Sequence, residues 1–213
     1  MTLREQHVNL ARETPYAFAC QRCLGCCRAK RIQVNPYEVG RLARPLGIST
    51  TTLIRRHTMN GSYLKFNAEN VCPFLTADGC GVHRDRPLVC RLYPLGRHVA
   101  ETGEEWFTEF ESEPGCAGLR GADQTIQSYL EEQGALPFMR AADLYLALYW
   151  KLAVLVETPD GGHAPARVSR TSWADLDAAV GAYCRETHRP VPAADDEKML
   201  LHIHAIETWA ESP

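Results

Sequence analysis

The sequence lacks a long apolar run. Its most apolar stretch, Leu144 to Val156, is about two-thirds of the ~20 residues that a helix needs to span a bilayer, and it contains Lys151. The stretch therefore predicts a buried helix and no membrane contact. Met1 to Leu10 holds no apolar segment of the kind that a secretory signal requires, so we expect a cytoplasmic protein.

The chain also lacks an excess of positive charge. Its 213 residues include 23 Lys and Arg against 26 Asp and Glu, which gives a formal net charge of -3 and a pI of about 6.2. Binding to nucleic acid requires basic side chains that neutralise phosphates. The charge balance therefore excludes nucleic acid as the main partner and leaves a redox or protein partner as the expectation.

The sequence does contain a dense run of cysteines near its start. Four of its nine cysteines lie close together, at Cys20, Cys23, Cys26 and Cys27. An odd number of cysteines without a secretory signal argues against disulfides and for metal binding. Cys20, Cys23 and Cys26 recur every third residue, so their sulfurs can converge on one centre. Cys27 points elsewhere, so Cys26 and Cys27 are more easily shared between two neighbouring centres than held by one.

A second group of cysteines follows after about 45 residues of chain that predict two short helices. The dipeptide Asp78-Gly79 predicts a turn that folds Cys72 and Cys80 towards each other. A short helix that begins near a proline is predicted to carry Cys90. Cys116, in a Pro- and Gly-containing stretch, is the eighth candidate ligand.

Hydrophobic periodicity predicts a helix-rich α+β fold, with a cysteine-rich metal-binding region that contains short strands and a helical region after it. We expect the first region to span residues 1–122 and the helical region, packed against it, to span 123–213. The predicted strands are 31–34, 63–66, and a hairpin of 98–100 with 106–110. The first predicted helix is 37–42, capped by Asn35, and a second one is capped by Ser49 or Thr50. Further helices are predicted at 124–133, 138–156, 173–185 and 197–209, with linkers at 161–162 and 190–192.

The order of the cysteines and their neighbours resembles one bacterial family. The resemblance rests on the CxxCxxCC run and on four later features: Cys-Pro-Phe-Leu from Cys72, Gly-Cys at Cys80, Arg-Pro-x-x-Cys-Arg from Arg86 to Arg91, and Cys116. The chain is similar to the CxxCxxCC cysteine-cluster family, also called the YkgJ family, whose members are described as zinc- or iron-chelating; flagellin lysine N-methylases carry a similar cysteine region. The resemblance implies eight metal ligands: Cys20, Cys23, Cys26, Cys27, Cys72, Cys80, Cys90 and Cys116.

Eight thiolates suffice for two four-thiolate centres, of zinc or of iron and sulfide. Zinc sites made of cysteine usually combine two CxxC motifs, and the second cysteine region has none. Three cysteines at this spacing with a remote Cys-Pro are closer to the pattern of bacterial ferredoxins. We therefore expect an iron-sulfur cluster, 4Fe-4S, with Cys20, Cys23, Cys26 and Cys72 in the first centre and a redox or electron-transfer role.

Two alternatives remain open. One is a structural module that binds Zn2+ and mediates protein interaction. The other is a methylase-like enzyme that carries a cluster, which has the least support because the sequence shows no Gly-rich phosphate loop and no acid-base pair or nucleophile triad.

Several residues outside the cysteine pattern carry simpler expectations. His83 stands where the family usually has Tyr, and we expect it to be packed or at the surface. Cys184 has no counterpart in the family and is expected to be a small buried apolar residue. His202 and His204 would lie on different faces of the last helix, and we expect both at the surface or facing a partner. Glu104-Glu105 predicts a solvated turn.

Overall fold

The computed structural model describes residues 5–121, 123–156 and 173–211, and these confirm the helix-rich α+β fold. Seven α-helices occur in them: α1 Pro36–Ala43, α2 Thr50–His57, α3 Leu88–Leu92, α4 Ile126–Glu132, α5 Leu136–Val156, α6 Leu176–Glu186 and α7 Asp195–Glu211. The strands are short: β1 Glu5–Leu10, β2 Phe18–Ala19, β3 Thr58–Met59, β4 Tyr63–Leu64, β5 Leu75–Thr76, β6 Gly79–Cys80, β7 Leu95–Val99, β8 Glu105–Phe110 and β9 Leu119–Arg120. None of the described helices is long and apolar enough to cross a membrane.

The chain divides into two compact units that alternate along the sequence. The first unit consists of Met1–Ile32, Phe66–His83 and Pro87–Pro137. The second unit consists of Gln33–Lys65, Arg84–Arg86 and Phe138–Pro213. All eight candidate ligands therefore belong to the first unit, whereas Cys184 belongs to the second.

A three-stranded antiparallel sheet of order β1-β8-β7 forms part of the first unit. The β7-β8 pair confirms the predicted hairpin. β7 begins three residues earlier than predicted and ends one residue earlier, and β8 begins one residue earlier. The sequence did not predict β1, whose pairing with β8 is interrupted by two register shifts. Glu105 lies in β8 and pairs with Arg12 and Arg97, so the predicted solvated turn is wrong at this residue.

Aromatic side chains make up the centre of the first unit. Tyr16 and Phe18 lie edge-on to Tyr129, at centroid distances of 5.0 and 6.2 Å. These three rings and Phe107 are buried and form part of the core of the unit that carries the cysteines. Burial of this much aromatic surface stabilises the unit more than its short strand pairs can.

The second unit is built from helices whose starts are capped by their own sequence. Asn35 and Glu38 form a reciprocal capping box at the start of α1, and Ser49 caps α2, as predicted. Asp175 caps α6 and also accepts hydrogen bonds from the hydroxyls of Thr50 and Thr51 at the start of α2. The carboxylate therefore fixes the beginnings of two helices at once.

Some predictions for this unit are wrong. The predicted strand at 31–34 is reduced to one isolated bridge between Gln33 and Tyr63, because helix α1 begins only a few residues later. The predicted strand at 63–66 shortens to the two residues of β4. His202 is fully buried and hydrogen-bonds Tyr145 at 3.0 Å, contrary to the prediction of a surface residue.

Other predictions for the helices are confirmed in part. Cys184 is 2% exposed in a cluster with Leu176 and Val180, as expected of a small apolar residue. Helix α5 is buried along one face only, since Tyr149 and Trp150 are 56% and 46% exposed. The linker predicted at 190–192 is irregular, and the linker predicted at 161–162 lies outside the described residues.

Candidate metal centre

The first cysteines lie on a tightly wound loop rather than on a regular helix. Gly25–Cys27 forms a single 3-10 turn, closed by a hydrogen bond of 3.0 Å from the N–H of Cys27 to the carbonyl of Leu24. Arg22, Leu24 and Ala29 have φ angles of 52°, 65° and 51°, in the left-handed region. Such a conformation costs a non-glycine residue roughly 1–2 kcal/mol, so the surrounding structure must hold this loop in place.

Backbone hydrogen bonds join this loop to the second cysteine region. The N–H of Cys72 donates to the carbonyl of Cys27 at 3.0 Å, and the N–H of Ala29 donates to the carbonyl of Asn70 at 2.8 Å. The main chains of Cys27 and Cys72 are therefore direct neighbours. About 45 residues of chain separate Cys27 from Cys72, so no local sequence pattern could predict that they meet.

The remaining cysteines of the second region lie where the sequence predicted them. Strands β5 and β6 form a hairpin with a turn at Asp78, and Cys80 ends its second strand. Cys90 lies on helix α3, which directly follows Pro87. His83 lies in a 3-10 turn and is half-buried, as expected.

Cys116 meets the first loop through its side chain. Its Sγ lies 3.9 Å from Sγ of Cys23, although 93 positions separate the two residues. Cys116 ends a four-residue turn that begins at Glu113, closed by a hydrogen bond of 2.9 Å from the N–H of Cys116 to the carbonyl of Glu113. Pro114 and Gly115, with a φ of 79°, occupy the central positions and fit a type II turn.

Three of the sulfurs accept hydrogen bonds from the N–H two residues further along the chain. The N–H groups of Gly25 and then Ala117 lower the pKa of Cys23 below its ordinary value. Burial raises the pKa of Cys72, and the N–H of Phe74 opposes this effect. Hydrogen bonds of this kind stabilise the thiolate, which is the form that binds metal.

The same relation holds at Cys116, where Gly118 supplies the N–H. Burial raises the pKa of Cys116, and the N–H of Gly118 opposes it. A hydrogen bond with Cys26, followed by burial, raises the pKa of Cys27 well above its ordinary value. Thiols so close together cannot all ionise unless a cation compensates their charge, because each thiolate disfavours the next.

These electrostatic contacts show which thiols are neighbours. Cys26 lies close enough to Cys23 and Cys116 to oppose the ionisation of each thiol. Cys27 is affected in the same way by Cys26, then by Cys72 and Cys90. Further contacts join Cys72 to Cys80 and to Cys26. Cys20 is exposed on the same loop as Cys23.

The described residues contain no group of three or more His, Cys, Asp or Glu side chains arranged to hold a metal ion. The structure brings the thiols together as neighbouring pairs, and six of the eight are half-buried. Clustered soft sulfur ligands that receive N–H hydrogen bonds fit zinc or iron by their chemistry. The donor set therefore suits a thiolate-bound metal.

Sequence analysis missed three residues that border the cysteines. Lys30 pairs with Glu113, and the hydroxyl of Tyr93 accepts a hydrogen bond of 2.6 Å from the N–H of Glu113. Burial raises the pKa of Tyr93 to about 12, and the neighbouring thiol of Cys116 contributes to this increase. The sequence signal for these residues is weak: each lies three positions from a cysteine, but nothing in the sequence shows that they meet.

The comparison with known families covers the stretch of chain that carries all eight of these cysteines. Residues 19–116 match the model of the CxxCxxCC family, described as "Putative zinc- or iron-chelating domain". The chain therefore carries a CxxCxxCC domain over these residues, as the cysteine pattern predicted. Neither the curated proteins nor the solved structures include a match to the chain.

Proposed function

We propose that the protein binds zinc through cysteine thiolates of its first unit. The observation that carries this proposal is the 3.9 Å between Sγ of Cys23 and Sγ of Cys116. Two sulfurs on one tetrahedral zinc, with Zn–S distances of about 2.3 Å, lie about 3.8 Å apart. The thiolates of a four-iron cluster bind separate iron atoms and are therefore held further apart.

The neighbour relations form two groups of ligands that share Cys26. Cys23, Cys26 and Cys116 interact with one another, and Cys20 lies on the same loop. The second group consists of Cys27, Cys72, Cys80 and Cys90. Cys26 also hydrogen-bonds Cys27 and lies near Cys72, so this thiol belongs to both groups. Cys116, which the sequence did not place in the first centre, joins Cys23 there.

The proposed role of the metal is structural. The first unit joins its cysteine-bearing segments through the strand pairs β2-β9 and β5-β6, each only two residues long. Pairs of this length are marginal by themselves. When bound, zinc supplies redox-inert cross-links between thiolates, and its binding energy then contributes to folding.

Metal analysis of anaerobically purified protein tests this proposal. We expect zinc without acid-labile sulfide and a colourless solution. Cys23→Ser and Cys116→Ser should each lose zinc, whereas Cys184→Ala, a change at a buried cysteine of the second unit, should retain it. A zinc content per chain that stayed unchanged in both serine variants would contradict the assignment of these two ligands.

A second candidate function is a redox protein with an iron-sulfur cluster. The spacing of Cys20, Cys23 and Cys26 favours it, because the same spacing occurs in bacterial ferredoxins. Iron with a matching amount of sulfide and a broad visible absorption would support this function and reject the zinc proposal. Protein that takes up neither metal after anaerobic reconstitution would contradict both.

A further inference from the structure

Two side chains outside the cysteine pattern, those of Lys30 and Tyr93, converge on Glu113, the residue that begins the Cys116 turn. The ammonium of Lys30 pairs with the carboxylate of Glu113. The hydroxyl of Tyr93 accepts a hydrogen bond of 2.6 Å from the backbone N–H of the same glutamate. The ammonium also lies 5.4 Å from the centre of the Tyr93 ring, within the range of a cation–π interaction.

Each of these residues belongs to a different cysteine-bearing segment. Lys30 follows Cys27 by three positions, Tyr93 follows Cys90 by three, and Glu113 precedes Cys116 by three. Contacts among the three side chains therefore join the segments that deliver the proposed ligands. The sequence alone does not reveal these contacts, because more than 60 residues separate Lys30 from Tyr93.

The turn transmits the position of Glu113 to the thiol. Its main-chain hydrogen bond runs from Cys116 to Glu113, and Pro114 and Gly115 restrict the two central residues. A carboxylate held at the first position of such a turn fixes the direction of the side chain at the fourth. At that fourth position Sγ of Cys116 lies 3.9 Å from Sγ of Cys23.

The ion pair is largely shielded from water. The side chains of Lys30 and Glu113 are only 15% and 14% exposed. A pair removed from water gains little net stability, because desolvation offsets most of the attraction between the charges. Fixing one geometry is the use of such a pair that is best supported.

We propose that Lys30, Tyr93 and Glu113 form a clamp that holds Cys116 against Cys23 and thereby sets the metal affinity of the centre. The inference rests on the proposed function, since it assigns positioning residues to the same site. Residues that orient metal ligands typically contribute 10–100-fold to affinity. The clamp residues act through Cys116 and do not bind the metal themselves.

Metal affinity, measured by competition with a chromophoric chelator, tests the clamp. Glu113→Gln and Lys30→Met should each weaken zinc binding by about 10–100-fold, and Lys30→Arg should restore much of the affinity. Two matched controls in the second unit, Glu207→Gln and Lys198→Met, also break ion pairs and should leave the affinity unchanged. Far-ultraviolet circular dichroism establishes that each variant is folded.

The directions in which Glu113→Gln and Lys30→Met change the zinc affinity distinguish positioning from simple charge compensation. If Lys30 only supplied positive charge to the thiolates, Glu113→Gln would free that charge and tighten zinc binding, while Lys30→Met would weaken it. Opposite signs would therefore overturn the clamp. In a Cys116→Ser background, Glu113→Gln should have no further effect on residual binding, and an undiminished effect would show that the glutamate does not act through Cys116.

A measurement made without metal distinguishes a failure of the clamp from a failure of the proposed zinc binding. Oxidised glutathione reacts with one thiolate to form a mixed disulfide and release glutathione, and the second thiolate then displaces the bound glutathione to form a protein disulfide. Peptide mapping should show the Cys23–Cys116 disulfide forming at least several-fold more slowly in Tyr93→Phe and Glu113→Gln than in the unaltered protein. Equal rates would overturn the clamp, whereas unaltered protein that binds no metal would overturn the zinc proposal alone.

Discussion

Two buried tyrosines of the first unit differ in what their hydroxyls contact. The hydroxyl of Tyr129 donates a hydrogen bond of 2.7 Å to the carbonyl of Tyr93. Tyr16 is only 3% exposed, and within the described part of the chain its hydroxyl has no hydrogen-bond partner. A buried hydroxyl without a partner keeps its desolvation cost and gains nothing in return.

Replacing each tyrosine by phenylalanine should therefore have opposite results. We expect Tyr16→Phe to raise the free energy of unfolding by about 1 kcal/mol, because it removes an unpaired buried hydroxyl. Tyr129→Phe should lower it by about 1–2 kcal/mol, since the carbonyl of Tyr93 loses its donor. Urea unfolding of the metal-loaded variants provides the comparison, and equal losses in both would contradict this account.

Single-residue predictions from the sequence succeeded where the chemistry of the residue decided the outcome. Cys184 was predicted to be apolar in character, and it is buried. His202 was misplaced because a histidine suits water and a core almost equally well. A signal was nevertheless present, since Met199, Ile206 and Trp209 mark the buried stripe of α7 and His202 lies on the same stripe.

At the level of elements, strand β8 carries a carboxylate, that of Glu105, which pairs with the guanidinium groups of Arg12 and Arg97. Burial alone would raise the pKa of Glu105, but Arg12 and Arg97 outweigh it and lower the pKa below its ordinary value. A lowered pKa means that the ionised form stabilises the fold. This contribution is present above the pKa of the unfolded chain, near 4.3, and is lost as the pH falls through the lower folded value.

The stability difference between the unaltered protein and Glu105→Gln should therefore depend on pH. Near pH 7 we expect the substitution to cost about 1 kcal/mol, a value reduced for solvent screening. The difference should shrink as the pH drops below about 4, because the glutamate then becomes protonated and resembles the amide. Thermal unfolding from pH 7 to pH 3 measures it, with the exposed Glu104→Gln as a control. A constant difference across this range would exclude the electrostatic origin.

Helices α2 and α6 share one buried carboxylate. Asp175 is 1% exposed and accepts hydrogen bonds from Thr50, Thr51 and the N–H of Ala178. Asp175→Ala should lower the free energy of unfolding by about 3 kcal/mol, because it leaves buried donors without an acceptor. Ser49→Ala removes an exposed cap from α2 and should cost only about 1 kcal/mol. Similar losses in chemical denaturation would show that burial of the cap is unimportant.

Helices were predicted more reliably than strands because their signals are local. The capping residues Asn35 and Ser49 and the apolar period located most helix ends to within a few residues. Strand β1 escaped prediction because its partner β8 lies about 95 residues away and its register shifts interrupt the alternation. The predicted strand at 63–66 shrank to two residues and the one at 31–34 to an isolated bridge, since strand length depends on a partner that the sequence does not show.

Over the whole molecule, the sequence predicted the candidate ligands but not how they meet. The spacing of the cysteines and their Pro and Gly neighbours indicated a CxxCxxCC domain, and the family model confirms it. The approach of Cys23 to Cys116 depends on the clamp at Glu113 and on contacts across 93 positions. A long-range contact of this kind results from the packing of the whole unit, so local sequence patterns do not predict it.

The alternation of the two units makes a prediction about metal removal. Residues Phe66–His83 belong to the cysteine-bearing unit, whereas Gln33–Lys65, which lies between two cysteine groups in sequence, belongs to the helical unit. If the metal stabilises only its own unit, chelation should reduce amide protection in Phe66–His83 and leave Gln33–Lys65 unchanged. Hydrogen exchange with mass spectrometry, on metal-loaded and chelator-treated protein, measures both segments in one experiment.

The same experiment tests where the chain divides. The sequence predicts a boundary near residue 122, and a region of 1–122 that responded as one body would lose protection in Gln33–Lys65 as well. The helical unit has a core of its own, with Leu53, Val180 and Ile206 fully buried, so it needs no metal to exclude water. We therefore expect helices α1 and α2 to keep their protection after chelation. Loss of protection there, to the same extent as in Phe66–His83, would show that the metal organises the chain by sequence order and not by compact unit.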